Sequence, residues 1–214
     1  MDEPLWQQLA EGMTALQQPI DEQQITALMT YLQLISRWNK AYNLTAIRDL
    51  PAMVVRHLLD SLAILPHLPN GSLLDVGTGA GLPGVPVAVM QPDRRVALLD
   101  SNGKKIRFLF QVKTQLGLSN IQLHETRVEQ FAAQERPDLV VSRAFASLSD
   151  MVKFCQPLLL QGTRLFAMKG ADVDAELEVL QKNWPTMVPI TQQPLRVPGL
   201  NETRWLVELR AATH

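Results

Sequence analysis

The sequence predicts an α/β chain: a doubly wound, mostly parallel sheet with a C-terminal antiparallel strand pair and an N-terminal helical extension. Three observations carry that reading. Apolar residues recur at helical spacing up to about residue 66. Beyond Pro69-Asn70-Gly71, short apolar runs alternate with helical stretches, the pattern of parallel strands joined by helical crossovers. Near the end, two β-rich segments flank Pro198-Gly199. The expected organisation is an extension over residues 1–68 packed on a core domain over 69–214.

In the extension, Ile25, Leu28, Met29, Leu32 and Ile35 fall on one helical face, and Asp21 after Pro19 suits an N-cap. Trp38 to Leu44 reads as a helix end and loop. A second helix is expected from about Pro51 to before Pro66. In the core, strands are expected at Ser72–Val76, Arg95–Leu99, Ile121–His124, Leu139–Ser142 and Arg164–Met168. Helices are expected at about Pro83–Met90, Gly103–Leu116 and Leu148–Leu159. The terminal pair is Met187–Val197 and Thr203–Leu209.

The formal net charge of −1 provides no global positive field, which argues against a simple tail-type nucleic-acid binder. Cys155 is the only cysteine, so neither an intrachain disulfide nor a cysteine metal cluster can be built. With Met1-Asp2-Glu3-Pro4 at the start no signal peptide is expected, and no run approaches the roughly 18 apolar residues of a membrane span. A cytoplasmic, metal-free monomer is expected.

The most informative stretch is Leu73-Leu74-Asp75-Val76-Gly77-Thr78-Gly79-Ala80-Gly81-Leu82-Pro83-Gly84. A strand entering glycines and then a helix brings backbone close to a ligand. Pro83 suits the first helical position. Gly79, Gly81 and Gly84 satisfy the dinucleotide pattern G-x-G-x-x-G. Asp75, Gly77, Gly79 and Gly81 satisfy D-x-G-x-G-x-G, associated with S-adenosylmethionine. The second is preferred: Asp75 at the strand end can organise the loop and face a cationic ligand, whereas a pyrophosphate would meet its charge. A class I, Rossmann-like methyltransferase is therefore expected. Asp100, ending the next strand, can accept both ribose hydroxyls, or it can simply N-cap the following helix. Val128 can pack on an adenine face and Glu129 can read its edge, although Glu129 could equally be a solvated helix residue.

Four segments, DVGTGAGLPG (75–84), LDSNGKKIR (99–107), SRAFASL (142–148) and RWNKAYNL (37–44), together resemble the RsmG/GidB family. Arg56-His57-Leu58-Leu59-Asp60-Ser61 is similar to that family's RH-x-x-DS segment. These are bacterial methyltransferases that methylate N7 of a guanine in 16S ribosomal RNA. The likeness covers about residues 25 to 170, with a weaker tail around Arg204; Ala80 stands where the family often has Pro. The resemblance implies S-adenosylmethionine as cofactor, with 16S RNA or the small ribosomal subunit as partner. It implies that Gly77 and Leu82 contact the cofactor, that Val128 and Glu129 hold the adenine, and that Arg143 lies beside it. Arg204 matches a family arginine.

Guanine N7 carries an in-plane lone pair and no proton, so attack on a sulfonium methyl requires no general base. Positioning and electrostatics then carry the catalysis. Arg143 is the candidate catalytic residue, positioning the base or a phosphate; a salt bridge to a nearby acid is its plainer role. Arg204 and Lys104 are the RNA candidates, with Lys105, Arg107, Lys169 and Arg196 behind them. Trp38, Tyr42 and Phe145 could stack on bases, with core packing the readier role for the first two. His57 reads as structural. A small-molecule methyltransferase, an NAD-dependent oxidoreductase and a non-catalytic adenosine-binding protein remain alternatives.

Overall fold

In this computed structural model the described residues are 3–132, 135–143, 145, 147–185 and 187–211. Four parallel crossovers and a terminal hairpin build one seven-stranded sheet in the order β3-β2-β1-β4-β5-β7-β6. Its strands are β1 (Leu73–Val76), β2 (Val96–Asp100), β3 (Ile121–Glu125), β4 (Leu139–Ser142), β5 (Arg164–Lys169), β6 (Met187–Leu195) and β7 (Arg204–Ala211). The first five are parallel, and β7 runs antiparallel to both β5 and β6. The expected α/β architecture holds, including the antiparallel end.

Strand residues alternate between two cores, as the twofold side-chain period requires. Leu73, Leu98, Val141 and Phe166 face one apolar cluster, and Leu74, Leu99, Val140 and Leu165 face the other. Both faces are buried, which is why the strands read as continuous apolar runs. The first face is covered by α5 (Gly84–Met90) and α6 (Gly103–Leu116), together with the N-terminal helices α1 (Glu3–Ala15) and α2 (Glu22–Tyr42). The second is covered by α7 (Val128–Phe131), α8 (Leu148–Leu160) and α9 (Val173–Asn183). Leu5, Leu9, Leu28 and Leu32 therefore share a core with the strands.

Asp21 does cap α2: its carboxylate accepts from Gln24 N at 2.7 Å, and the Gln24 side chain accepts from Asp21 N at 3.0 Å. This reciprocal pair satisfies two otherwise orphaned amides. The helix then runs through Trp38 to Tyr42, further than a helix end near Trp38 suggested. The next helix is interrupted. An α turn, α3 (Leu50–Met53), leads into a π-helical stretch, Val54–Leu59, and then into α4 (Asp60–Leu62). The wider winding carries Arg56 and His57, and such stretches often sit at functional sites. Helix α5 starts at Gly84, so Pro83 is the residue preceding the helix and not its first position.

Candidate active site

Ligands in open α/β sheets bind at the carboxyl ends of strands where the strand order reverses. Here that point lies between β1 and β4, at Gly77 and Arg143. Ser142 Oγ donates to Val76 O at 2.7 Å and ties the two strand ends together.

Asp75 is fully buried beneath the turn. Its Oδ2 accepts from Thr78 Oγ1 at 2.6 Å and from Gly84 N at 2.8 Å. A Cβ at Gly84 would run into Leu98 and stand 2.9 Å from that Asp75 oxygen, so the last glycine serves the aspartate and not a ligand. Asp75 organises the loop as expected, but from inside it; it does not face an open ligand surface. Burial pushes its carboxyl up to about 6, against the pull of Thr78, Gly84 and Arg143.

Most of the turn's amides are already engaged. Gly77 N and Thr78 N donate to Leu99 O, Gly81 N and Leu82 N donate to Thr78 O, and Gly79 N donates to Asp100 Oδ2 at 3.0 Å. Gly77 and Gly79 hold φ of 68° and 61°, the left-handed region that favours glycine. A pyrophosphate cradle needs free amides; these, and that of Gly84, are taken. A cationic, phosphate-free cofactor fits the turn better than a dinucleotide.

On one side of Gly77 a hollow of about 260 Å³ is lined by Asp100, Val128, Glu129, Phe145 and Phe154. Val128 is buried and Glu129 exposed, so an apolar face and a polar edge meet there. Phe145 and Phe154 stack at 6.1 Å, and Phe145 therefore faces this hollow with another ring. Asp100 does not cap α6; Asn102 does, accepting from Lys104 N at 3.0 Å. Asp100 accepts instead from Asn102 N, Gly79 N and Lys105 Nζ. A carboxylate has about four lone-pair sites, so room remains for a ribose hydroxyl.

On the other side a cleft of about 170 Å³ is lined by Leu44, Thr45, His57, Gly79, Leu82 and Arg143, and by Gly77 itself. His57 Nε2 lies 2.9 Å from Thr45 Oγ1, and the Thr45 loop is pinned by Asn39. Burial, followed by the nearby Arg143 charge, lowers His57 to about 4 and keeps it neutral. Arg143 Nη1 donates to Asp60 Oδ2 at 2.9 Å and to Arg56 O at 3.1 Å. The salt bridge is real, and Arg143 still lines the cleft. The buried Asp60 also accepts from Arg204 Nε at 3.1 Å.

The structure thus brings Asp100, Val128 and Glu129 to one side of Gly77 and Gly79, Leu82 and Arg143 to the other. Arg204 stands behind Asp60, and Lys104 is exposed at the start of α6. Lys169 is not available to phosphates: it is buried, bonds Glu176 at 2.8 Å and donates to Phe145 O. Trp38 packs on Phe108 at 5.7 Å, against the core. Ala144 and Ala146 of the SRAFASL segment lie outside the described residues. Sequence reasoning missed Tyr31, whose buried hydroxyl donates to Ala80 O at 2.6 Å and bolts α2 to the turn. It also gave no role to Asp60, Thr45 or Phe154. Only the aspartate carried a signal, as part of the Arg56–Ser61 segment that resembles the family's RH-x-x-DS.

A larger hollow, about 560 Å³, lies at the amino end of β1 around Gly71, Arg94 and Asp138. Arg94 commits its guanidinium there to Gly71 O, Pro69 O and Gln91. It is remote from the turn.

Strand order, turn and acid at the end of β2 define the fold of the Rossmann-like methyltransferases. Solved structures agree: a mutant of MtNAS in complex with S-adenosylmethionine has a TM-score of 0.59 at 13% identity, over 88% of this chain and 73% of that one. The precorrin-6y C5,15-methyltransferase of Geobacter metallireducens has a TM-score of 0.51 at 11% identity, over 79% and 93%. At such identity the likeness is one of fold. The model of the GidB family, rRNA small subunit methyltransferase G, matches residues 24–204, and the chain belongs to that family. Relatives named ribosomal RNA small subunit methyltransferase G include one from Saccharophagus degradans, 47% identical over 98% of this chain and 92% of its own length. Another, from Yersinia enterocolitica, is 48% identical over 90% and 92%.

Proposed function

We propose that this chain transfers the methyl group of S-adenosylmethionine to N7 of a guanine in 16S ribosomal RNA. The observation that carries the reading is the pair of hollows meeting at Gly77. One offers an apolar wall, a carboxylate and a glutamate to an adenosine; the other opens on Arg143 and a neutral imidazole. When bound, the cofactor supplies an electrophilic methyl group on a sulfonium.

The residues fit that group. Asp100 would take the ribose, Val128 and Glu129 the adenine, and the backbone at Gly77 and Gly79 the bend between the two sides. The enclosed Asp75 carboxylate, with Oδ1 unpartnered, would favour a positive ligand above the turn. On the opposite side His57 adds no positive charge beside a sulfonium, and Asp60 balances that of Arg143. The cleft needs to orient a flat base with its in-plane lone pair toward the methyl group; no side chain has to take a proton at N7. Arg143 is the candidate to position the base or an adjoining phosphate.

RNA would approach the carboxyl edge, where the start of α6, which carries Lys104 and Arg107, meets the end of α2, which carries Arg37 and Lys40. The Trp38–Phe108 contact sets those helix ends side by side. No described helix is long and apolar enough to cross a membrane, and the reading places a monomeric enzyme in the cytoplasm with the RNA it modifies. The test is turnover of labelled cofactor with 16S RNA, with small subunits and with no RNA. Label entering RNA supports the proposal; turnover independent of RNA would point to a small-molecule acceptor. An Arg143→Ala enzyme should lose at least about tenfold in turnover, and full turnover with normal cofactor affinity would remove Arg143 from the chemistry.

A further inference from the structure

Outside the cleft wall, two guanidiniums converge on one carboxylate. Arg56 donates from Nη1 and Nη2 to Glu202 Oε2 and Oε1 at 3.2 and 2.5 Å, and Arg204 Nη2 donates to Glu202 Oε2 at 2.9 Å. The cations sit on fixed elements. Arg56 belongs to the π-helical stretch, and Arg204 opens β7 with its Nε held by the buried Asp60. The anion does not: Glu202 lies in the connection between β6 and β7, its side chain 49% exposed. A surface hollow of about 500 Å³ opens beside the pair, lined by Gln8, Pro51, Val55, Gly199 and Leu200. The fork is also joined to the cleft, because Arg143 bonds both Arg56 O and Asp60.

We propose that this fork is a binding site for a backbone phosphate of the RNA substrate, and that Glu202 is a resident competitor which the phosphate displaces. The inference rests on the ribosomal RNA reading above. Guanidinium forks donate in the same bidentate way to a carboxylate or a phosphodiester, so a phosphate oxygen pair can replace Oε1 and Oε2. The exchange swaps one anion for another and strands no buried charge. Exposed ion pairs contribute little to stability, so releasing Glu202 costs the fold little. The site adjoins the cleft, as the phosphate flanking a base turned out of its stack must. Glu202 would select against weakly held RNA, since any occupant must displace it.

The experiment compares the full-length chain with its Glu202→Gln variant. It measures affinity for 16S RNA over a series of salt concentrations, with cofactor affinity measured alongside. Removing the competitor should tighten RNA binding at low salt about three- to tenfold. Adding Arg56→Gln to that variant should reverse the tightening and flatten the slope of log affinity against log salt by roughly 0.7 to 0.9, the contribution of one phosphate. Unchanged or weakened RNA binding in Glu202→Gln, with the cofactor still bound, overturns the proposal. So does loss of cofactor binding in that variant, which would make the fork a structural clamp. A wild-type chain that binds cofactor and no RNA overturns both this inference and the reading beneath it.

Discussion

At the scale of single residues, two buried groups with opposite shifts flank the turn. His57 falls from its ordinary 6.5 to about 4. Between those values the unfolded chain takes up a proton that the native one refuses. The stability His57 contributes is therefore whole above pH 6.5 and lost as pH falls toward 4. Asp75 runs the other way, from 3.8 up to about 6. Its contribution is whole below 3.8 and lost as pH rises through 6. The two offset in the wild type. His57→Gln removes one of them, so as pH falls from about 7 to 4.5 the variant should gain about 2 kcal/mol of stability relative to wild type in urea titrations. An identical pH dependence in the two would mean His57 is not buried as a neutral ring. The sequence made Asp75, Asp100 and Arg143 legible because a charged residue at the end of an apolar strand stands out. It could not show that Asp75 is sealed or that Asn102 takes the cap, because both depend on how the loop closes in space.

At the scale of elements, α2 is more than a cover for the sheet. Its apolar face and Asp21 cap could be read from spacing alone. Tyr31 could not, since an aromatic at a core position gives no hint that its hydroxyl reaches Ala80 across the chain. Tyr31→Phe leaves that carbonyl unpartnered and should cost about 1 kcal/mol of stability. It should also weaken cofactor binding several-fold in calorimetry; unaltered affinity would separate the turn's shape from α2. The π-helical stretch was equally hidden. Period alone predicts one continuous helix from Pro51, and nothing in that period marks the wider turn that carries Arg56 and His57. Helices α1 and α9 are not legible from spacing because Gln and charged residues dilute their apolar faces.

At the scale of the whole molecule, Asp60 links distant parts of the chain. It pairs the helix before the sheet with Arg143 after β4 and Arg204 at the start of β7, 83 and 144 residues away in sequence. Removing one partner of such a network leaves the others uncompensated. Asp60→Ala should lower unfolding stability by about 3 kcal/mol and should impair RNA turnover more than cofactor binding, because the hollow proposed for the adenosine lies on the far side of Gly77. Equal losses in both would show Asp60 to be a fold element only. The doubly wound order was legible from alternating runs, while the meeting of N-terminal helix and C-terminal hairpin at one carboxylate was not, since no local pattern encodes a contact of that range. The central claim is that the two hollows present a guanine's N7 to the transferred methyl group. The most direct measurement maps the label in methylated 16S RNA by N7-dependent strand cleavage. The account predicts label at N7 of a single guanine. Label on a ribose, an exocyclic nitrogen or another base would contradict it.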